Sequence, residues 1–335
     1  MFKHGHRAVL AATLCIGLSP TIGQAQDIEI LMALPAPTLT FSSAFLAEDA
    51  GFYKKEGLKV SHRILVGVAS PNAVIAGSAD FTIGTGPVFL RAAAAGQRML
   101  AVANLIDKPL VELVLRKDVA DAAGITDATP LAERARALKG KTIAIQGVGS
   151  IVHAWERFVA SRGGLDIEKD VRIAPMDPPP MLASMETKAI DGFATSLPFT
   201  TEAVVKGKAI MLASGSSAAP DLLPFAYGLI YTRADMCTKQ RDKCERVVRA
   251  LAAANKMILE RPDEALEVLR KRFDKMDQQV LTAAWKTVAA AHARDLRVTE
   301  QALDHSQKVS LEAKLLEGKD TLKSFDGLYT NEFVR

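Results

Sequence analysis

The sequence predicts an α/β fold of two lobes, each a mostly parallel sheet flanked by helices, and three observations carry that expectation. The run Ala47–Val60 reads as a helix end, a second turn and then a strand. Gly51 and Gly57 there can take the left-handed conformation that stops a helical segment. About twenty residues later Ile75–Gly84 repeats the logic: short helix, glycine stop, buried strand. The alternation then continues at short spacing, and Ile190–Ala194 echoes Ser78–Phe81 well down the chain. Strands and helices alternating this way pack as a parallel sheet covered by helices. With 335 residues the chain can bury a substantial core, divided between two lobes.

The N-terminus is basic at Lys3, His4, His6 and Arg7, then apolar from Ala8 to Leu18. Gly23 and Ala25 place small residues before a cleavage after Ala25, so residues 1–25 read as a secretory signal peptide. Cys15 lacks the small neighbours of a lipid-attachment box, which predicts a soluble exported protein. No later segment approaches the ~18 unbroken apolar residues of a membrane span. Hydrophobic content of 49% with 24% charged residues fits a globular chain. Of the formal +4 charge, Lys3 and Arg7 supply +2, and the remainder is too mild to indicate nucleic acid.

Taken in order, Asp27–Leu34 is a first strand, and Thr40 or Ser42 caps the following helix. Leu58–Val66 alternates as a half-buried strand. Ser70-Pro71 reads as a cap and first-turn proline, and Gly86-Pro87 opens another helix, ending at Gly96. Met99–Leu105 and Leu110–Arg116 are strands, and residues 117–129 are a link. Pro130–Leu138 is a helix, and Lys141–Ile145 a strand aimed at Gln146–Ser150. Ser150 caps a helix through Ser161; Val171–Ala174 is a strand and Met181–Lys188 a helix. Phe225–Tyr231 is a returning strand, after which the pattern is helical from about Lys239 to Glu317, broken at Pro262 and near Arg294–Val298.

Gly51–Leu58 (GFYKKEGL) and Ala76–Gly84 (AGSADFTIG), with the helix-first start before them, resemble the nitrate/sulfonate/taurine-type solute-binding proteins of ABC importers. That family also takes in binders of thiamine-pyrimidine precursors. The resemblance implies a two-lobed periplasmic-binding-protein fold of the second topological type, no cofactor, no catalytic residue and a periplasmic location. One lobe is then 26–112 with 228–335, the other 113–227, and the crossings near Leu110–Arg116 and Phe225–Tyr231 form a hinge. The implied partners are a small-molecule solute and the permease subunits of the inner membrane, powered by a separate ATPase, with the receptor a monomer. The tail Leu328–Phe333 is expected to dock on a lobe.

Gly147-Val148-Gly149-Ser150, between strand and helix, is the strongest local site signal, because free N–H groups and the positive dipole end of a helix start attract anions. It is neither a P-loop, lacking the following Lys-Ser/Thr, nor a dinucleotide fingerprint, lacking a third glycine. His153 stands one turn on, either a ligand donor or a packed histidine. His62, His292 and His305 have no ligand spacing, so no metal is expected. The cleft is expected to draw Thr38, Thr40, Ser42, Ser70, Thr85, Gly86, Gly149, Ser150, His153, Met181, Ser196, Phe199 and Tyr227, from loops without Lys or Arg; Arg91 is placed on an outward helix. Hydroxyls and helix-start amides without a fixed cation suit a small organic acid, sulfonate or carboxylate, aromatic or not. A neutral nitrogen heterocycle such as a pyrimidine precursor is the alternative. A pyrimidine-synthase-like enzyme is the rival of another class, disfavoured because the mature chain lacks a cysteine-rich motif.

Cys237 and Cys244 are the only cysteines past the signal segment, and an even count in an exported chain favours a disulfide. A continuous helix would hold their Cα atoms about 10.5 Å apart, beyond bridging reach, so Met236–Arg241 must be irregular.

Overall fold

The computed structural model describes residues 1–2, 27–65 and 68–334; most of the expected signal segment, together with Val66 and Gly67, lies outside them. Among the described residues ten strands form two five-stranded sheets. The first contains β1 (Ile28–Leu34), β2 (Leu58–Ile64), β3 (Phe81–Gly84), β4 (Met99–Asn104) and β10 (Leu229–Arg233), in the order β2-β1-β3-β10-β4. The second contains β5 (Val111–Arg116), β6 (Thr142–Ile145), β7 (Arg172–Pro175), β8 (Gly192–Ser196) and β9 (Ala209–Ser214), in the order β7-β6-β8-β5-β9. In each sheet one strand, β10 or β5, runs antiparallel to both neighbours, and the other pairings are parallel. Each antiparallel strand is the first that the chain lays down after crossing from the other sheet. The echo seen in sequence is therefore a shared topology.

Burial explains the strand sequences. β3, β5 and β8, inside the sheets, are buried along nearly their whole length, as interior strands covered on both faces must be. β2 is an edge and alternates, Leu58 buried beside exposed Lys59 and Ser61. The glycine stops are real: Gly51 and Gly57 have φ of 74° and 65°. One apolar core runs under both sheets, from Leu34 and Phe45 through Leu110 and Val111 to Ile143 and Phe158.

Several expected boundaries move. Ser42 does not cap its helix, which spans Ser42–Asp49 behind a 3₁₀ turn at Leu39–Phe41; its hydroxyl donates backward to Leu39 O at 2.5 Å. Ser70 lies inside the helix Ala69–Ile75 and shares a hydrogen bond with Thr82, so packing against β3 replaces capping. The expected link at 117–129 begins with a helix, Lys117–Ala122. Pro178, not Met181, opens the helix Pro178–Glu186. The C-terminal helices Arg241–Glu260, Pro262–Arg270, Gln278–Ala291 and Glu300–Glu312 include a further break, after Arg270, that the sequence pattern hid. The tail docks on the open edge of the first sheet: Ala101 N donates to Leu328 O, Thr330 N donates to Ala101 O, and Phe333 is buried.

Cys237 and Cys244 are bridged, with Cα atoms 5.5 Å apart. The helix Met236–Lys239 ends at Gln240, whose extended φ of −135° turns the chain before Arg241 starts the next helix. That break supplies the shortening which a continuous helix could not.

Candidate functional site

The chain crosses between the sheets at residues 105–110 and 225–228, at or just ahead of the start of the expected stretches, because Val111–Arg116 and Leu229–Arg233 are themselves strands. The two crossings run side by side as a hydrogen-bonded ribbon. Leu105 N donates to Gly228 O, Phe225 N to Asp107 O, and both Tyr227 N and Gly228 N to Ile106 O. Asn104 Nδ2 donates to Phe225 O at 3.1 Å. Beyond this ribbon the sheets face each other across a cavity of about 60 Å³. By the same measure of volume a water needs roughly 10–15 Å³, so the space suits a solute of a few heavy atoms.

The cavity wall follows from topology. It is built at the carboxyl ends of β1 and β3 on one side (Pro35, Ala36, Thr38, Thr40, Phe41, Gly84, Thr85) and of β6 and β8 on the other (Gln146, Ser150, Ile151, Val152, Ser196). Ligands of open α/β sheets bind in such crevices. Pro71, Val88, Tyr227 and Tyr231 complete it. The lobes touch around it: Leu39 N donates to Leu197 O, and the hydroxyls of Ser196 and Tyr227 are 3.4 Å apart.

Of the residues expected in the cleft, Thr38, Thr40, Thr85, Ser150, Ser196 and Tyr227 are thus brought around one cavity. Ser42 and Ser70 are buried behind it with their own partners. Gly86 packs on the helix Glu300–Glu312, where an added methyl would lie 2.4 Å from Ser306 Oγ. Met181 sits in the core of the second sheet. Phe199 faces a separate outer groove shared with Phe45, His62 and Phe273.

Gly149 and His153 are off the wall and hold its loop. Ser150 caps the helix Ile151–Arg162, accepting from His153 N at 3.3 Å while its hydroxyl donates to Gly147 O. Gly149 N donates to His153 Nδ1 at 3.1 Å, which puts the ring proton on Nε2, 3.4 Å from Glu168 Oε1. Burial, reinforced by nearby Arg157, holds the imidazole below its ordinary pKa. The Ser150 hydroxyl and Gly149 amide are therefore committed locally. The amides left at the helix start are those of Ile151 and Val152, which have no acceptor within the helix.

Sequence reasoning missed Gln146, Tyr231 and Arg91. Gln146 is the residue just past β6, its Oε1 accepting from Thr195 at 3.1 Å. Tyr231 reads in sequence as an ordinary strand aromatic; alternation along β10 could have flagged it as sharing a face with Leu229. Arg91 is not on an outward face: it is half-buried and its guanidinium lies against Gly149, where an added methyl would be 2.6 Å from Nη1.

The electrostatics of the wall are simple. Among the described residues, no Asp, Glu, His, Cys, Lys or Arg lines it. The Thr38, Thr40 and Thr85 hydroxyls and the Tyr231 phenol are buried without a partner among the described residues. Burial raises both tyrosines well above the ordinary phenol pKa, so they stay protonated donors. Behind Tyr227 the carboxyl of Glu112 is raised by burial, an effect opposed by bonds from Thr200 (2.5 Å) and Ser214 (3.1 Å). Such a wall can orient and hold a polar solute.

Comparison with known proteins places this architecture. A Brucella abortus protein named in general terms as a binding protein is 24% identical over 298 residues, covering 87% of this chain and 85% of its own. The fold is shared with a solved Bordetella bronchiseptica protein at a TM-score of 0.75 and 20% identity, covering 92% of this chain and 96% of that one. It is shared too with the alkanesulfonate-binding protein SsuA of Xanthomonas axonopodis pv. citri, at TM-score 0.68, 18% identity and coverages of 88% and 96%. The periplasmic nitrate-binding protein NrtA of Synechocystis PCC 6803 gives 0.67, 17%, 87% and 82%. The chain's residues 39–265 match the sequence family described as NMT1/THI5 like, and the chain belongs to that family.

Proposed function

We propose that this chain is the extracytoplasmic solute-binding component of an ABC importer and that it takes a small organic acid, sulfonate or carboxylate, into the interlobe cavity. The observation that carries the reading is the set of four unpartnered hydroxyls, on Thr38, Thr40, Thr85 and Tyr231, converging on one cavity beside the helix start at Ile151. A buried hydroxyl without a partner costs about 1–3 kcal/mol, which an accepting ligand would recover. An acid offers acceptors to all four and suits the amides of Ile151 and Val152. Among the described residues the wall has no titratable side chain other than tyrosine, which supports binding over catalysis.

The family and the solved relatives, themselves binding proteins of sulfonate and nitrate, support the transport role. The proposal includes export to the periplasm, with the signal removed after Ala25, and a monomer whose lobes close about the ribbon at residues 105–110 and 225–228. It accords with this that no helix among the described residues is long and apolar enough to cross a membrane. Closure on solute would complete the surface offered to the permease.

Isothermal titration with matched pairs tests the ligand class: ethanesulfonate against ethanesulfonamide, propionate against propionamide, benzoate against benzamide. The acid of at least one pair is expected to bind at least tenfold more tightly than its amide, about 1.4 kcal/mol. Preference for the amides throughout would favour the neutral-heterocycle reading instead.

A further inference from the structure

Arg91 lies on the helix Gly86–Ala94, one turn after Val88, which lines the cavity. Its guanidinium reaches the loop of the opposite lobe, where a methyl on Gly149 would lie 2.6 Å from Nη1 and 3.5 Å from Cζ. Gly149, with φ of 78° and no side chain, leaves the room. Several other partly buried arginines have carboxylates: Arg116 has Asp118 and Asp191, Arg157 has Glu168, Arg272 has Glu48 and Asp49, while Arg134, which forms no such pair, donates to Met211 O. Arg91 takes part in no ion pair and no side-chain hydrogen bond among the described residues. Withdrawing a guanidinium from water without a counter-charge is unfavourable, and burial does lower its pKa, though an arginine stays charged.

The Tyr231 phenol, close enough to feel the Arg91 charge, is fully buried, unpartnered and on the cavity wall. Two residues beyond Gly149 are the open amides of the Ile151 helix start. The phenol and the helix start line the cavity, and the Arg91 guanidinium stands just behind that lining at Gly149; all three attract negative charge. We infer that Arg91 is the charge-selecting residue of this site, supplying the counter-ion for the anionic end of a solute held at the Ile151 and Val152 amides and the Tyr231 hydroxyl. The inference rests on the organic-acid reading and adds to it a fixed cation, contributed by one lobe and applied at the loop of the other.

The test compares wild type, Arg91→Gln and Arg91→Lys with the ethanesulfonate/ethanesulfonamide and benzoate/benzamide pairs by titration calorimetry, folding being checked by thermal melting. Arg91→Gln is expected to weaken the acids at least tenfold and the amides less than twofold. Arg91→Lys should keep the acid preference and lose less affinity. Equal weakening of acid and amide, or an acid preference that survives in Arg91→Gln, overturns the role of Arg91 while leaving the acid reading standing. A wild type that prefers the amides, or binds none of the four, overturns both.

Discussion

Glu156→Gln is expected to make the protein more stable at neutral and alkaline pH. Glu156 sits on the Ser150 helix, is 1% exposed, and neither carboxyl oxygen has a hydrogen-bond partner among the described residues. Burial, with nearby Glu168 adding to it, raises its pKa well above 4.5. The folded state therefore holds this proton to a higher pH than the unfolded chain does. Below the ordinary glutamate range both states are protonated and the group has no pH-dependent effect. As pH rises from there toward the raised folded value, the unfolded state releases its proton first and stability falls, by up to about 1.4 kcal/mol per pH unit. Glutamine has the same shape and no such slope. Denaturant unfolding of both proteins at pH 4, 6 and 8 should show Gln gaining on Glu at each step. A difference that stays flat across that range would mean Glu156 is not a neutral buried acid.

Gly228→Ala is expected to weaken the ribbon between the lobes. The new methyl would stand 2.8 Å from Ile106 N and 2.9 Å from its Cβ and Cγ1, and the first of these is backbone that cannot rotate away. Room could come only from parting the two crossings, which stretches the bonds from Tyr227 N and Gly228 N to Ile106 O. Overpacking of this kind costs about 1–3 kcal/mol, with on the order of 1 kcal/mol more for each bond lost. The urea midpoint should drop accordingly, and affinity for any bound acid should fall as well, because Tyr227 on the wall moves with the ribbon. An unchanged midpoint would show that the crossings are not closely paired.

The fold was legible because its signals are local. The glycine stops at Gly51 and Gly57 and the cap at Ser150 each depend on a few adjacent residues, and the break before Cys244 follows from the reach of a bridge to Cys237. The serines failed where tertiary partners compete with capping: Ser70 is engaged by Thr82, twelve residues away, and Ser42 turns back to Leu39. The site was legible in part for the same reason. Thr38, Thr85 and Ser150 stand at strand ends, a position that alternation can locate. Tyr231 and Arg91 act through what lies across the cavity, and no spacing within the chain encodes that. His153 and Gly149 carried a genuine signal of a built loop, but the loop spends their hydrogen bonds on itself.

The central claim is that the unpartnered hydroxyls of this cavity await a ligand, and replacing two of them with an isosteric apolar group tests it most directly. The double variant Thr38→Val, Thr85→Val keeps shape and removes two buried donors, both lacking partners among the described residues. Titrated with the tightest-binding acid found for wild type, it should lose at least tenfold in affinity while its ligand-free melting temperature holds or rises. Wild-type affinity in a folded double variant would contradict the account.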